Sequence, residues 1–337
     1  MMDRLESNPR ARCCAVGAGR MGRGIAIACA YAGHPITLVD LRARTPAAWA
    51  QLQADVDGEV RDALHGLVRL NTLRAEQVDT LAARVQLVSA ADAPAALAAA
   101  KLLFEAVPET MAAKRDAFAL INRHCRDDTI ITSTTSSILV TALAALVRRP
   151  ERFLNMHWLN PAYLMPVVEL STHPGLAAEV LARTQALMEG MGKLPVVCGP
   201  AAGYIVPRLQ ALVMNEAARM VQEGVASAEE IDKATRYGMG LRFAAIGVVE
   251  FIDFGGLDIL HHASLEMATS ISKQRYSAPP IVGQMFNEGR LGLKTGSGFY
   301  DYQGQDLSAY RQDVMARVLA QLRHAGLWRA AAESNVD

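Results

Sequence analysis

An excess of charge of one sign is missing from this chain. Its 34 Lys and Arg residues balance 34 Asp and Glu, and no block of like charge breaks the balance, so neither a nucleic-acid nor a membrane-surface partner is indicated. Metal-like cysteine spacing is missing too: Cys13, Cys14, Cys29, Cys125 and Cys198 form no CxxC pair. An odd thiol count without an apolar leader in "MMDRLESNPRAR" predicts packed thiols in a reducing cytoplasm, with that stretch a short flexible lead-in. No apolar run is long and charge-free enough to span a bilayer, and repeats, low-complexity tracts and flexible linkers are lacking. What the chain has is apolar bulk. At 337 residues and 51% hydrophobic it can bury a sizeable core and exceeds a typical single domain, which predicts a soluble globular protein of two domains.

The first half alternates β-like and helical runs, the pattern of parallel βαβ units in a doubly wound sheet. "RCCAVGAG" reads as the first strand and turn, "MGRGIAIACAYAG" as a helix ending at Gly33, and "PITLVDL" as the second strand. Residues 46 to 82 hold no β-like run and predict two helices set outside the sheet, an excursion before "RVQLV" resumes it. "KLLFEAV", "TIITSTT", "RFLNMHWL" and "PVVEL" supply further strands, with "MAAKRDAFALINRHC" as an intervening helix. The sheet domain is expected over 1–200, ending near "VVCGP". Residues 201–337 show apolar spacings of three and four and predict an all-helical domain, with a final helix from about Leu307.

"GAGRMG" places Gly17, Gly19 and Gly22 in the GxGxxG spacing, with Arg20 and Met21 between them. The first glycine permits a tight turn, the second lets the backbone approach a pyrophosphate, and the third lets helix pack on strand. A strand precedes the motif, a helix follows it, and Asp40 ends the next strand, which is the context of a dinucleotide site. A carboxylate at Asp40 favours NAD over NADP, and Arg42 and Arg44 nearby temper that preference.

A nicotinamide domain needs a group to move a proton when hydride moves. His157, in "NMHWLNP", lies in a strand-like run near the C-terminal edge of the sheet, where ligands bind. Glu169 closes the next apolar run within reach of it, and a histidine with one nitrogen on a carboxylate is a positioned base. The competing reading of His157 is a satisfied core residue. The stretch "STTSSI" raises a further question, since an apolar run ending in hydroxyl side chains is odd for a buried strand.

The stretches "VGAGRMGRGIA", "FEAVPE", "STTSSI", "MHWLNP", "VVEL", "GYIVPRL" and "GRLGLKTGSGFYDY", together with the helical excursion, resemble the 3-hydroxyacyl-CoA dehydrogenase family over nearly the whole chain. The resemblance implies a Rossmann-type NAD domain followed by a helical domain that dimerises. It assigns Ser136 as the catalytic serine that holds the 3-hydroxyl or 3-keto oxygen, His157 as the catalytic histidine and Glu169 as its partner. Asn160 falls with them on the substrate side, and Glu109 and Lys114 on the cofactor side, Lys114 having a helix-surface lysine as its alternative. Ser137 and Thr135 are left to satisfy backbone groups at the strand end, or, for Ser137, to cap the helix "ILVTALAAL".

Two positions depart from the family. Its second domain opens with an asparagine that binds the substrate oxygen, and this chain has Pro207 there. Either Pro207 is a favourable first-turn residue, or the substrate or its orientation differs. At "GMGLRFAAIGVVEF" the chain resembles relatives that oxidise gulonate or carnitine, so Arg242 is a candidate for pairing a free carboxylate, against the alternative of a surface or interface arginine. "GRLGLKTGSGFYDY" pulls back toward short-chain acyl-CoA members. His261 and His262 have no ligand-spaced acid or cysteine and predict no metal site. Three functions stand: NAD-dependent oxidation of a short (S)-3-hydroxyacyl-CoA or its reverse, the same chemistry on a free 3-hydroxy acid, and a non-catalytic NAD-binding scaffold.

Overall fold

The computed structural model describes residues 11–329. Residues 1–10, most of the expected lead-in, lie outside the described residues. The chain forms two compact units that divide between Leu212 and Val213.

The first unit opens with β1 (Cys13–Val16), α1 (Arg20–Tyr31) and β2 (Ile36–Asp40), followed by the excursion as α2 (Pro46–Arg69) and α3 (Val78–Ala82). Thr45 caps α2 by accepting from Ala48 N, with Pro46 in the first turn, where no N–H is needed. Next come β3 (Val85–Ser89), α4 (Ala93–Ala99), β4 (Leu102–Glu105), α5 (Met111–His124), β5 (Ile130–Ser133), α6 (Val140–Ala144) and β6 (Phe153–Trp158). β7 (Val167–Ser171), α7 (Ala178–Gly190), β8 (Leu194–Cys198) and α8 (Val206–Gln222) complete the run, and α8 crosses the division between the units.

The eight strands form one sheet in the order β3-β2-β1-β4-β5-β6-β7-β8. Neighbours are parallel except β6 and β7. Only residues 159–166 join those two, too few for the crossover a parallel pair requires, so the chain turns back on itself. Side-chain alternation covers both faces. Ala15, Leu38 and Phe104 pack with Ile25 of α1 and Leu52, Val60 and Leu64 of α2, while Val16, Val39 and Leu103 pack with Phe118 of α5 and Leu143 of α6. The excursion is therefore part of one helical layer. The sequence reading did not name α4 and α7, which are the crossovers before β4 and β8.

The second unit is helical: α9 (Ala228–Lys233), a π-helical stretch over 234–240, α10 (Leu241–Ala245), α11 (Val248–Gly255), α12 (Leu257–Ser270), α13 (Lys273–Tyr276), α14 (Pro280–Asn287) and α15 (Leu307–His324). Asp306 fixes the start of α15 by accepting from Ser308 N and Ala309 N. Asp253 is fully buried and accepts from Phe299 N, Tyr300 N and the Tyr302 hydroxyl. That anchor explains "GSGFYDY" as a loop folded onto a buried carboxylate.

Candidate active site

The C-terminal ends of β1, β2 and β4 open onto a cavity of about 670 Å³ lined by Gly17, Gly19, Arg20, Met21, Asp40 and Arg42, among others. Gly17 has φ +118, and a Cβ there would lie 2.4 Å from the Ala106 carbonyl oxygen, so the turn admits no other residue. A Cβ on Gly22 would lie 2.0 Å from the Gly17 oxygen, which holds α1 against the turn. Gly19 differs: a Cβ there would meet nothing within 4 Å, so the protein itself does not require glycine. The open space there leaves room for a ligand to lie against the backbone. Gly19 is also the N-cap of α1 and supplies no side-chain cap, leaving first-turn N–H groups available to a phosphate. Asp40 at the end of β2 is 5% exposed and ion-paired with Arg44. A bare strand-end turn, an uncapped helix and a buried acid fit the pyrophosphate and ribose of NAD.

Next to this cavity lies a closed network of charge. Lys114 of α5, 1% exposed, donates to Glu105 Oε1 at 3.0 Å and to the Val107 carbonyl at 3.4 Å, and sits 3.3 Å from Glu109 Oε2. The alternative of a helix-surface lysine is thereby overturned. Glu105, fully buried at the end of β4, also accepts from Val107 N at 2.8 Å and from Ser133 Oγ at 2.6 Å. The sequence reading passed over Glu105. Its signal was an acid at the end of an apolar strand, which only a partner from another element allows.

Glu109 organises the hydroxyl-rich stretch. Its Oε1 accepts from Ser136 N and Ser137 N, each at 3.0 Å, from Ser137 Oγ at 2.9 Å, and from the Thr135 hydroxyl. Burial opposes its ionisation, but the hydrogen bonds from Thr135 and Ser137 and the Lys114 ammonium prevail and lower its pKa to about 2. Thr135 Oγ1 in turn accepts from Ile138 N at 3.0 Å. Ser133 Oγ likewise accepts from Thr135 N at 3.3 Å, so these hydroxyls satisfy backbone donors where β5 ends. Ser137 does not cap α6, whose N-cap is Leu139 without a side-chain bond. Ser136 is exposed, and its hydroxyl has no bond to any described residue.

His157 and Glu169 are directly opposed across the antiparallel β6–β7 pair. His157 Nδ1 lies 2.8 Å from Glu169 Oε2, with the ring 8% exposed and the acid fully buried. A carboxylate only accepts, so Nδ1 carries a proton, and in the neutral ring the lone pair is then on Nε2. Glu169 Oε1 accepts from Ile205 N at 2.9 Å and Val206 N at 2.8 Å, the start of α8. The acid is thereby held by three donors from two directions. Tyr204, which the sequence reading did not single out, stacks on the imidazole with centroids 4.7 Å apart and planes 10° apart.

The remaining candidates are scattered. Pro207 lies in the first turn of α8, where it forfeits no needed N–H. Asn160 is exposed beyond β6 and lines a separate cavity of about 530 Å³ with Arg20, Gly24 and Arg69. Arg242 belongs to the second unit, where its guanidinium stands 4.8 Å over the Phe251 ring. The five cysteines are free thiols. Among the described residues no cluster of His, Cys, Asp and Glu is built to hold a metal, and no helix is long and apolar enough to cross a membrane.

Comparison with known proteins follows the same lines. Residues 13–201 match the model for the 3-hydroxyacyl-CoA dehydrogenase NAD binding domain, and residues 203–302 match the model for the C-terminal domain of the same enzymes. The chain is 35% identical over 291 residues to the 3-hydroxyadipyl-CoA dehydrogenase of Escherichia coli, covering 86% of this chain but only 58% of that longer protein. It is 33% identical to a probable 3-hydroxybutyryl-CoA dehydrogenase of Bacillus subtilis, covering 85% of this chain and 96% of the relative. The crystal structure of a 3-hydroxyacyl-CoA dehydrogenase from Archaeoglobus fulgidus superposes with a TM-score of 0.70 at 26% identity, covering 94% of this chain and all of that one.

Proposed function

Since the chain belongs to the 3-hydroxyacyl-CoA dehydrogenase family, we propose that it oxidises a short (S)-3-hydroxyacyl-CoA to the 3-ketoacyl-CoA, or runs the reverse, with Ser136, His157 and Glu169 as its reacting site. NAD, when bound, takes up or returns the hydride. The observation that carries this reading is the His157–Glu169 pair, one nitrogen fixed on a buried carboxylate and the other left with a lone pair. In the oxidative direction Nε2 removes the proton of the 3-hydroxyl. The imidazolium that forms faces the charge of Glu169, which stabilises it without a second proton transfer. Ser136 donates its free hydroxyl to the same substrate oxygen. Its backbone is held on Glu109, so the donor is in place before substrate arrives.

The first domain, expected over 1–200, holds the cofactor in this reading, and Asp40 selects NAD by accepting from the adenosine ribose and repelling a 2′-phosphate. Asn160 and Pro207 line the substrate side, and Pro207 forfeits one polar contact worth about 1 kcal/mol. The helical domain over 201–337 is the substrate and dimerisation domain of this reading. Exposed apolar side chains such as Met214, Ile259 and Leu265 support a dimer contact there. A cytoplasmic setting agrees with the free thiols.

The test is NADH oxidation by acetoacetyl-CoA, run beside free acetoacetate and beside NADPH. Turnover of the thioester with NADH, and at least about ten-fold less with NADPH, is the expected result. Turnover of the free acid alone transfers the substrate role to Arg242, and its substitution by Met then raises the KM for that acid. Silence with every pair overturns this reading and makes the altered site at Pro207 the question to resolve.

A further inference from the structure

We infer that Tyr204 is a positioning residue of this enzyme, setting both the plane of the His157 ring and its spacing from the Ser136 loop. The inference rests on the reading of His157 as the proton-transfer group. A histidine held at Nδ1 alone is under-constrained, because rotation about Cβ–Cγ is soft and broad. The hydrogen bond to Glu169 lies in the ring plane and does little to oppose tilting out of it. Tyr204 supplies the missing restraint by covering one face of the imidazole, near-parallel and 4.7 Å away.

The same side chain reaches the serine loop. Its hydroxyl donates to the Thr135 carbonyl at 2.7 Å, next to Ser136, and accepts from Asn155 Nδ2 at 3.2 Å. Asn155 is anchored in turn on the Ile138 carbonyl at 3.0 Å, on the far side of that loop. Burial pushes the Tyr204 hydroxyl pKa well above its usual value, so it remains a donor. Ring and hydroxyl therefore join the two groups that must meet at one substrate oxygen.

The backbone indicates what this placement requires. Tyr204 is 4% exposed and has φ +47, a left-handed conformation rare for an aromatic residue. Gly203 before it has φ +73, and the next two N–H groups bind Glu169. The chain thus kinks twice, stacks a ring on His157 and then delivers its donors to the acid behind it. Strain held by its surroundings at such a point marks a functional constraint.

The experiment compares the full chain with Tyr204→Phe, which keeps the ring, and Tyr204→Leu, which removes it. In free enzyme labelled with ¹⁵N-histidine, the His157 Nδ1–H signal, assigned by its loss in His157→Gln, is followed for exchange with water. Exchange stays slow in Tyr204→Phe and quickens about ten-fold or more in Tyr204→Leu. With whichever of acetoacetyl-CoA or acetoacetate the parent reduces, Tyr204→Leu loses about ten-fold or more in kcat with KM changed less than about three-fold, and Tyr204→Phe keeps at least about a third of kcat. Should Tyr204→Leu fail to fold by circular dichroism, Tyr204→Met fills the space without a ring plane and takes its place. Slow exchange and parental kcat in the ringless variant overturn the inference, as does a loss in Tyr204→Phe equal to that in Tyr204→Leu. If the parent turns over neither substrate, the proposed function fails, while the exchange comparison still decides whether Tyr204 holds the ring.

Discussion

Two charge clusters built around buried groups stand in the first unit, and they differ in how completely they are closed. In the Glu105–Lys114–Glu109 cluster each charged group finds its partners inside the protein, and the Lys114 ammonium is shared among two carboxylates and a carbonyl. In the His157–Glu169 cluster the acid is saturated by three donors, but the histidine has a lone pair with no described partner. A closed network orders the chain around it. A network with one place left open has somewhere to put a substrate proton.

If that contrast is right, the open cluster is where chemistry is lost and the closed one is where structure is lost. The largest effect is expected from His157→Ala, which lowers kcat by about a thousand-fold or more. NADH binding, followed by nucleotide fluorescence, stays at the parental value, since no contact of the dinucleotide cavity is touched. Retained turnover would remove His157 from the site. Lys114→Met is the converse. It leaves Glu105 buried without its cation and lowers stability by about 3–5 kcal/mol, read as a fall in the urea midpoint. A midpoint that does not move would mean that the Lys114–Glu105 pair adds nothing to stability.

The smallest effect sharpens the comparison within the closed cluster. Glu109 titrates from a reference of 4.5 in the unfolded chain to about 2 in the folded one. A depressed carboxylate stabilises the fold above its unfolded pKa, and that contribution is lost as pH falls from 4.5 toward 2. Its side chain is 36% exposed, so solvent screening cuts the contribution to about 1 kcal/mol, or about 2–4 °C in melting temperature. Melting curves at pH 5 and pH 3 span about half of that loss, so the parent should lose roughly 1–2 °C more than Glu109→Gln between them. Equal losses would mean that the Thr135 and Ser137 bonds persist on a protonated acid.

The cofactor half of this molecule was legible because its signals are local. Gly17, Gly19 and Gly22 sit within one turn, and Asp40 ends the following strand. The reacting half was legible only in part. His157 and Glu169 stood out as polar residues in apolar runs, but what joins them is the antiparallel register of β6 and β7, fixed by the shortness of the link between them. Glu105 and its pairing with Lys114 resisted reading because a buried ion pair between a strand end and a helix has no sequence period. Tyr204 resisted it because an aromatic at the mouth of a helix looks the same whether it packs a core or covers a catalytic ring.

The donors that hold Glu169 come from main chain, at Ile205 and Val206, and not from side chains. That detail sets how freely evolution can edit the entrance to α8. Any residue except proline can occupy 205 or 206 without loosening the acid, whereas 207 lends no N–H to Glu169 and is open even to proline. Pro207 then reads as drift through a permissive position, where side chains can change while the main-chain donors to Glu169 stay in place.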